Sequence, residues 1–427
     1  MNSSLVKHSS ILLRPDPART VIRPFAPGDP EPFADKEKPR TERVVSRVMK
    51  LDEAALDAEI EEVMKSLDER HTAVKTRLLR RFEELEGIDD KEKMSPKQAI
   101  LIGAYFSEEF SFSSAALFNP SGVVCPNQEG VAEGDTRFLL SLRGIGEGHV
   151  SSLTFRTGIW RADGGIEVED SSPRSTGPRV NMPTDTKRTA ELTFDADIDI
   201  SEEVIFPFLP SQGRGIEDVR LCRFTDDDGS THYRGTFTAF NGSDVRQAML
   251  RTDDFKCLVL RSLDGEWNQA KGMAWFPRRI DGKWFMLGRQ DSESVWLLSS
   301  DDEYCWNGGE KLISPKFPWE FIQMGNCGSP IELDEGWLVL THGVGVVRNY
   351  CVGAALLDKK DPSKLLGRLE TPLLEPDDQD RNGYVPNVVY SCGGFVRDRV
   401  LFLPYGVADN FTAFATVDVE GLLKAMR

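Results

Sequence analysis

The chain has 427 residues, of which 40% are hydrophobic and 28% are charged, so it can bury one large core or two ordinary ones and is not a disordered chain. Its formal net charge of −17 argues against a nucleic-acid or anionic-membrane partner, because such a partner is bound by a wide face with surplus lysine and arginine. Any phosphate-binding site must therefore be a small pocket that is basic only locally.

The cysteines and the hydropathy bear on the cellular compartment. Seven cysteines are spread singly, without a CxxC pair, which indicates neither a disulfide framework nor a zinc site. The N-terminal stretch lacks a long apolar segment, and no run of about 18 apolar residues occurs in the sequence. We therefore expect a cytoplasmic protein with no metal ion and no membrane partner.

Prolines dominate the start of the chain. Because proline removes a backbone donor and interrupts helices, we expect residues 1–40 to form an extended arm that lies over the surface or is swapped onto a neighbouring subunit. The prolines of this segment are Pro15, Pro17, Pro24, Pro27, Pro30 and Pro32.

Residues 41–111 have the three-to-four-residue apolar spacing of amphipathic helices. One long helix, either continuous or with a break, is predicted from residue 51 to Gly87. A second begins with Ser95 as its N-cap and Pro96 at its first position. A free-standing coiled coil is not expected, because the heptads do not persist. The apolar faces must pack on the following domain or on a second subunit, and we expect a homo-oligomer formed through these helices.

Residues 112–427 consist of short apolar runs bounded by Gly, Asp, Asn and Pro, the pattern of antiparallel strands joined by hairpins. This many strands exceed a single sandwich, so we predict a mainly β fold of the β-propeller type, which leaves few exposed edges. Gly-x-Trp segments recur without one fixed period, and the prediction therefore depends on the number of strands. The runs are RFLLSLRG, SSLTFRTG, YRGTFTAFNG, KCLVLRSLDG, GKWFMLGR, SVWLLSS, GWLVLTHGV, YCVGAALLD, RVLFLPYGVAD and FTAFATVD.

The stretch SQGRGIEDVR, residues 211–220, carries the clearest local signal for chemistry. Glu217 and Asp218 are adjacent, and Arg220 follows two residues later. Such a group fits a site in which one carboxyl is held and tuned while another contacts substrate. The alternative is a surface turn in which Asp218 and Arg220 pair in solvent.

Several motifs occur in a fixed order, namely FNPS, RFLLSLRG with GEGHVSS, GIEDVR, KGMAWFP with GKWFMLGR, GNCGSPIELDEGWLVLTHGV, GAALLDKKDPSKLLGR and YGVADN. In this order they resemble the signature of glycoside hydrolase family 130, which contains the β-mannoside phosphorylases. The resemblance covers roughly residues 112–420. It implies a five-bladed propeller with its site at the mouth of the central channel, and inverting chemistry on β-mannosides.

Within this resemblance, Asp218 matches the family's proton donor, which is thought to deliver its proton through a hydroxyl of the mannosyl ring. Val219 stands where the family has proline, which makes the segment less rigid but keeps both acids and Arg220.

Four further residues match the family's phosphate-binding positions. A phosphorolytic enzyme needs no second carboxylate as a base, because its nucleophile is inorganic phosphate, which is already an anion. The resemblance implies phosphate as the co-substrate of the mannoside and no other cofactor. Each residue also has an ordinary structural interpretation, as a surface charge, a core histidine or a packed aromatic. Gly272 departs from the asparagine of many phosphorylases and removes one donor. The four residues are Lys271, Arg289, His342 and Tyr350.

The resemblance also implies contacts to the mannosyl residue, whose hydroxyls require forked donors and acceptors. Asn119 and Asp409 have the alternative role of turn formers. Three tryptophans, Trp275, Trp306 and Trp319, are either platforms for the acceptor sugar or core residues. The expected substrate contacts are Asn119, Arg143, His149, Glu217, Arg220 and Asp409.

Three functions therefore remain open from the sequence. The first is a phosphorylase that converts a β-mannoside, such as mannobiose, a manno-oligosaccharide or mannosyl-glucose, into α-mannose 1-phosphate. The second is an inverting β-mannosidase, which requires a carboxylate base about 6.5–9.5 Å from the acid. The third is a non-catalytic sugar-binding propeller. The retention of His342 and Tyr350 favours the first over the second, and the retention of Asp218 argues against the third.

Overall fold

A computed structural model describes residues 5–32, 34–35, 38–183, 188–377 and 381–426. The protein is mainly β with few helices. Its internal contacts group the chain into two compact units. Unit 1 comprises Met1–Pro17, Phe112–Ser171 and Pro178–Arg427, and unit 2 comprises Ala18–Ser111 and Ser172–Gly177. The predicted division at residues 40 and 111 stays a prediction.

The strands follow the apolar runs of the sequence. All ten runs that predicted strands lie on strands, so this prediction is confirmed. In chain order the strands are β1 (Val6–Leu13), β2 (Val21–Pro24), β3 (Ser107–Phe110), β4 (Ala116–Val124), β5 (Thr136–Ile145), β6 (Ser151–Trp160), β7 (Ile166–Val168), β8 (Arg179–Asn181), β9 (Thr189–Thr193), β10 (Val204–Ile205), β11 (Gly215–Thr225), β12 (Thr231–Phe240), β13 (Val245–Thr252), β14 (Cys257–Ser262), β15 (Ala274–Trp275), β16 (Trp284–Gly288), β17 (Val295–Ser300), β18 (Gly309–Ile313), β19 (Gln323–Asn326), β20 (Ile331–Glu332), β21 (Trp337–Val344), β22 (Tyr350–Leu357), β23 (Leu365–Arg368), β24 (Val389–Tyr390), β25 (Phe395–Arg397), β26 (Val400–Val407) and β27 (Phe411–Asp418).

In unit 1 the strands form antiparallel groups, and most neighbours within a group are also neighbours in the sequence. Two smaller sheets have the orders β15-β16-β17-β18 and β19-β21-β22-β23. A third joins the two chain ends, because β1 pairs with β27 beside β26 and β24. The largest sheet contains two groups, β4-β5-β6 and β11-β12-β13-β14-β9-β8, and a single parallel pair, Gly215 with Ser151, links them. Residues 6–13, expected in an extended arm, therefore form an edge strand of unit 1.

Apolar side chains between these sheets form the core of unit 1. Trp275 and Trp306 are completely buried and pack edge to face, with ring centroids 5.5 Å apart. The guanidinium of Arg234 lies 5.2 Å from the centre of the Trp275 ring. These two indoles are core residues and not sugar platforms, which decides between the two interpretations that the sequence left open.

Unit 2 contains four helices, α1 (Arg40–Val48), α2 (Glu53–Leu67), α3 (Val74–Glu84) and α4 (Pro96–Tyr105), and α5 (Val419–Ala425) follows β27 in unit 1. The long periodic stretch is two helices, and Ala73 breaks it with a left-handed φ of 53°. The predicted start of α4 is confirmed, since the Ser95 side chain accepts from the Gln98 backbone in a capping box. None of the described helices is long and apolar enough to cross a membrane.

The apolar faces of these helices meet one another inside unit 2. Residues from α1, α2, α3 and α4 share one buried cluster, so the stripe predicted from the sequence is largely covered within the unit. The cluster consists of Val45, Val48, Leu56, Phe82, Leu85, Ala99, Leu101, Ile102 and Phe106.

Candidate active site

The acid pair Glu217 and Asp218 lies on β11 and not in a surface turn. Gly215 begins this strand, and a Cβ here would lie 2.7 Å from the Cβ of Ser151, so glycine permits the close approach of the two strands. The pairing of β11 with β12 shifts between Glu217 and Arg220, and Asp218 takes a left-handed φ of 54° in this bulge. A bulge re-aims a side chain out of the regular alternation of a strand.

Two donors from neighbouring strands hold Asp218. Asn119 Nδ2 on β4 donates to Asp218 Oδ1 over 2.8 Å, and Arg143 Nη1 on β5 donates to the same oxygen over 3.1 Å. Arg143 Nη2 also donates to Glu217 Oε1 over 2.7 Å, so one guanidinium spans both acids. The interpretation of the pair as a solvent-exposed turn is wrong, because Glu217 and Arg220 are buried and Arg143 is the partner of Asp218.

Both oxygens of Glu217 are occupied by cations. The ammonium of Lys271 lies 3.0 Å from Glu217 Oε2, while Oε1 accepts from Arg143. Glu217 therefore holds Arg143 and Lys271 in place.

A small pocket in unit 1 opens beside Asp218. Residues at or near the first strand of four strand groups line this pocket. Asp218 is on β11, and Lys271 lies shortly before β15. Asn326 is the last residue of β19, and Tyr390 is the last residue of β24. Asn119, which contacts Asp218, is on β4 at the start of the remaining group. The lining residues are Asp218, Arg220, Thr238, Lys271, Gly272, Arg289, Gly325, Asn326, His342 and Tyr390.

Two guanidinium groups in this pocket lack a counter-ion. Within the described residues, no carboxylate oxygen lies within 4.0 Å of a side-chain nitrogen of Arg220 or Arg289. Arg220 Nη2 donates to the hydroxyl of Tyr390 over 2.5 Å, and its Nε is buried without a hydrogen-bond partner. Arg289 Nη1 lies 3.3 Å from His342 Nε2. Arg220 is buried and Arg289 is partly buried. A buried cation without a paired anion is costly, so this arrangement favours an anionic ligand.

His342 and Tyr350 lie together at the side of the pocket. Burial, together with the charges of Arg289 and Arg220, holds the pKa of His342 well below its usual range, so its ring is neutral at pH 7. The Tyr350 ring stacks on it with centroids 6.1 Å apart, and the Tyr350 hydroxyl accepts from Gln323 Nε2 over 3.2 Å. His342 lines the pocket, whereas Tyr350 is beside it.

The two aspartates of the site have opposite pKa shifts. Burial raises the pKa of Asp218, but the charge of Arg143 and the hydrogen bond from Asn119 outweigh it, so the net shift is downward. Asp409, on the turn between β26 and β27, has its pKa raised to about 6 by burial and by the nearby charge of Asp218. Asp218 is therefore a carboxylate at neutral pH as the site stands.

The sequence-predicted residues are not all brought together. Asp218, Arg220, Lys271, Arg289 and His342 line one pocket, and Asn119, Arg143 and Glu217 contact these residues directly. Asp409 is close enough to Asp218 and Arg143 for their charges to act on it.

His149 is not among the residues that line the pocket. Its Nδ1 is 3.0 Å from the hydroxyl of Tyr384, which is 55% exposed.

Four lining residues were not predicted from the sequence, namely Thr238, Gly325, Asn326 and Tyr390. Gly325 and Asn326 belong to the GNCGSP motif, and this motif could have indicated them. Thr238 and Tyr390 have no local signal, because nothing distinguishes Thr238 from the other polar residues of β12, and Tyr390 belongs to a strand of two residues. No group of His, Cys, Asp or Glu in the described ranges is arranged to hold a metal ion.

Comparisons with known proteins identify relatives of this chain. A family profile described as beta-1,4-mannooligosaccharide phosphorylase matches residues 198–427. The chain is 33% identical to a beta-1,2-mannobiose phosphorylase of Listeria innocua over 231 residues, which are 51% of this chain and 62% of that protein. It is 35% identical to a beta-1,2-mannobiose phosphorylase of Thermoanaerobacter sp. over 218 residues, 50% of this chain and 70% of that protein.

A solved structure shares the fold. The Listeria innocua enzyme in complex with beta-1,2-mannobiose superposes with a TM-score of 0.53 at 24% identity, covering 74% of this chain and 93% of that chain.

Proposed function

The chain belongs to glycoside hydrolase family 130, and we propose that it is an inverting phosphorylase that cleaves a β-mannoside with inorganic phosphate to give α-mannose 1-phosphate and a shortened acceptor. The names of its relatives support phosphorolysis as the reaction class. Because the two relatives described above act on β-1,2-mannobiose, that disaccharide is the first substrate to test.

The observation that carries this proposal is the pair of unpaired guanidinium groups, Arg220 and Arg289, in one pocket of a strongly acidic protein. Lys271 adds a third cation to the lining. A phosphate dianion would supply the missing counter-charge and would accept hydrogen bonds from planar guanidinium groups in a forked geometry. Water, the nucleophile of a hydrolase, would leave these charges uncompensated.

The carboxylates of the site also favour phosphorolysis over hydrolysis. An inverting hydrolase needs a second carboxylate that activates water across the sugar ring. Within the described residues, Asp218 is the one carboxylate among the pocket-lining side chains, and both oxygens of Glu217 are bound to cations. Besides Asp218, the described lining of the pocket therefore contains no carboxylate that could act as the base.

We assign the chemical roles as follows. The proton of Asp218 passes through a mannosyl hydroxyl to the leaving glycosidic oxygen, and an oxygen of phosphate bonds to the anomeric carbon as the glycosidic bond breaks. Arg220, Arg289, Lys271, His342 and Tyr350 form the phosphate side, with His342 acting as a neutral hydrogen-bonding group. Arg220, expected from the sequence among the sugar contacts, is assigned to phosphate because its buried guanidinium has no counter-ion among the described residues. The residues assigned to hold the mannosyl ring are Asn119, Arg143, His149, Glu217 and Asp409.

The strand order supports a five-bladed propeller for unit 1. The large sheet separates into two antiparallel groups at the pair Gly215–Ser151, which together with the three smaller sheets gives five consecutive groups. In a propeller the first strand of each blade lines the central channel. Residues of the site come from β4, β11, β19 and β24, and Lys271 lies shortly before β15.

Replacement of Arg289 by alanine tests the function. We expect the KM for phosphate to rise and phosphorolysis to slow by on the order of 10² or more, the loss typical of removing a preorganised charge contact. Mannoside binding in the absence of phosphate should change little. Arg246→Ala, at an exposed position on β13, is the matched control. Wild-type turnover that is indifferent to phosphate, or an Arg289→Ala enzyme with an unaltered phosphate requirement, would favour the hydrolase instead.

A further inference from the structure

The proposed acid poses a chemical problem. A general acid must hold a proton before the reaction, yet Asp218 lies among positive charges that stabilise its carboxylate form. Charged, titratable and hydrogen-bonding groups face it from every neighbouring element. They are Asn119 on β4, Arg143 on β5, Glu217 and Arg220 on β11, Lys271 before β15, His342 on β21, Tyr390 on β24, Cys392 after it and Asp409 on the β26–β27 turn.

Two of these cations belong to the phosphate pocket as well as to the surroundings of Asp218. Arg220 and Lys271 both line the pocket, and the charges of both act on Asp218. The charge of Arg143 also acts on Asp218, and on Asp409, but Arg143 does not line the pocket. An anion bound to Arg220 and Lys271 would cancel the charges that favour ionised Asp218, and would add its own negative charge beside that carboxyl.

The carboxyl group has an oxygen available for a proton. Asn119 and Arg143 both donate to Oδ1. Within the described residues no hydrogen bond to Oδ2 of Asp218 is present. Protonation at Oδ2 would therefore leave both contacts of Oδ1 intact.

We propose that binding of a phosphate-like dianion in this pocket drives a proton from solvent onto Asp218 Oδ2, so that the acid becomes protonated only when the nucleophile is present. The proposal rests on the proposed function, because it requires the anion to bind at Arg220, Lys271 and Arg289. It makes Arg220 and Lys271 the coupling groups between nucleophile and acid. By linkage, protonation of Asp218 strengthens anion binding to the same degree.

Sulfate is a suitable probe, because it carries two negative charges and does not itself titrate near neutral pH. Calorimetric titration of the protein with sulfate at pH 7, in two buffers that differ in ionisation enthalpy, measures the protons taken up per anion bound. We expect an uptake approaching one proton in the wild type. The uptake should disappear in Asp218→Asn and persist in Asp409→Asn, while both variants still bind sulfate.

A second measurement addresses the site of protonation directly. In protein labelled with ¹³C at the aspartate carboxyl carbons, the Asp218 resonance should move towards its protonated position when sulfate is added at constant pH. The sulfate affinity should also fall as pH rises in the wild type, and this slope should be lost in Asp218→Asn.

The outcomes separate this inference from the proposed function. Sulfate and phosphate binding without proton uptake would overturn the inference and leave the function standing. Uptake that survives in Asp218→Asn would assign the proton to another group, such as His342 or Asp409, and would also overturn it. Failure of both anions to bind would overturn the proposed function and this inference together.

Discussion

Glu217 and Asp218 are neighbours in the sequence, but their surroundings give them different tasks. Each oxygen of Glu217 contacts one cation, Arg143 or Lys271. Asp218, in contrast, lines the pocket, and both of its donors contact the same oxygen. The bulge in β11 separates the two side chains into these surroundings.

Replacing Asp218 by asparagine should nearly abolish turnover while mannoside binding remains. The amide keeps the shape of the carboxyl group but has no transferable proton. Steady-state kinetics and equilibrium binding would be compared with Asp197→Asn, a change of the same kind at an exposed position. An Asp218→Asn enzyme within about tenfold of the wild-type rate would exclude Asp218 as the acid.

At this scale the sequence predicted types of residue better than their partners. The acids of GIEDVR were visible as a local cluster, but the donors to Asp218 come from 99 and 75 residues earlier in the chain. Tyr390, which holds Arg220 from 170 residues away, has no sequence signal at all. Contacts between strands of different groups depend on how the groups pack, and that information is not local.

Among the secondary-structure elements, the sequence predicted those features that depend on neighbouring residues alone. Ser95 and Pro96 predicted the start of α4, and the apolar runs predicted the strands. The sequence allowed a break in the long periodic stretch but did not give its position, because no glycine or proline marks the segment between Leu67 and Val74. Residues 6–13 form a strand because their partner, β27, lies at the other end of the chain.

One element carries a buried acid outside the active site. Glu203 precedes β10, its side chain is fully buried, and Lys256 Nζ lies 2.8 Å from its Oε1. Its Oε2 is buried without a hydrogen-bond partner. Burial raises the pKa of this carboxyl from 4.5 to about 7, against the opposing effect of Lys256.

This pKa shift predicts a pH-dependent stability. The folded state holds the proton more tightly than the unfolded state, so the contribution is present below about pH 4.5 and is lost as pH rises towards 7. The loss should be on the order of 3 kcal/mol. Urea denaturation at pH 5 and pH 8 should show this decline in the wild type and a flatter profile in Glu203→Gln. Glu266→Gln, at an exposed position, should keep the wild-type slope, and an unchanged slope in Glu203→Gln would contradict the assignment.

For the whole molecule, the subunit organisation and the cytoplasmic location stay predictions. The apolar faces that motivated a homo-oligomer pack together within unit 2, so they do not by themselves require a second subunit. We still predict association through these helices, and sedimentation equilibrium tests it. A monomer well above micromolar concentration would show that the helices serve their own chain alone.

The central claim is that the pocket beside Asp218 binds phosphate as the nucleophile. The most direct test incubates the protein with β-1,2-mannobiose, β-1,4-mannobiose and mannosyl-glucose, each with and without phosphate, and identifies the products by ¹H and ³¹P NMR. We predict that one of these substrates gives α-mannose 1-phosphate and its free acceptor sugar, with turnover only when phosphate is present. Release of free mannose from the non-reducing end at the same rate without phosphate would contradict this account.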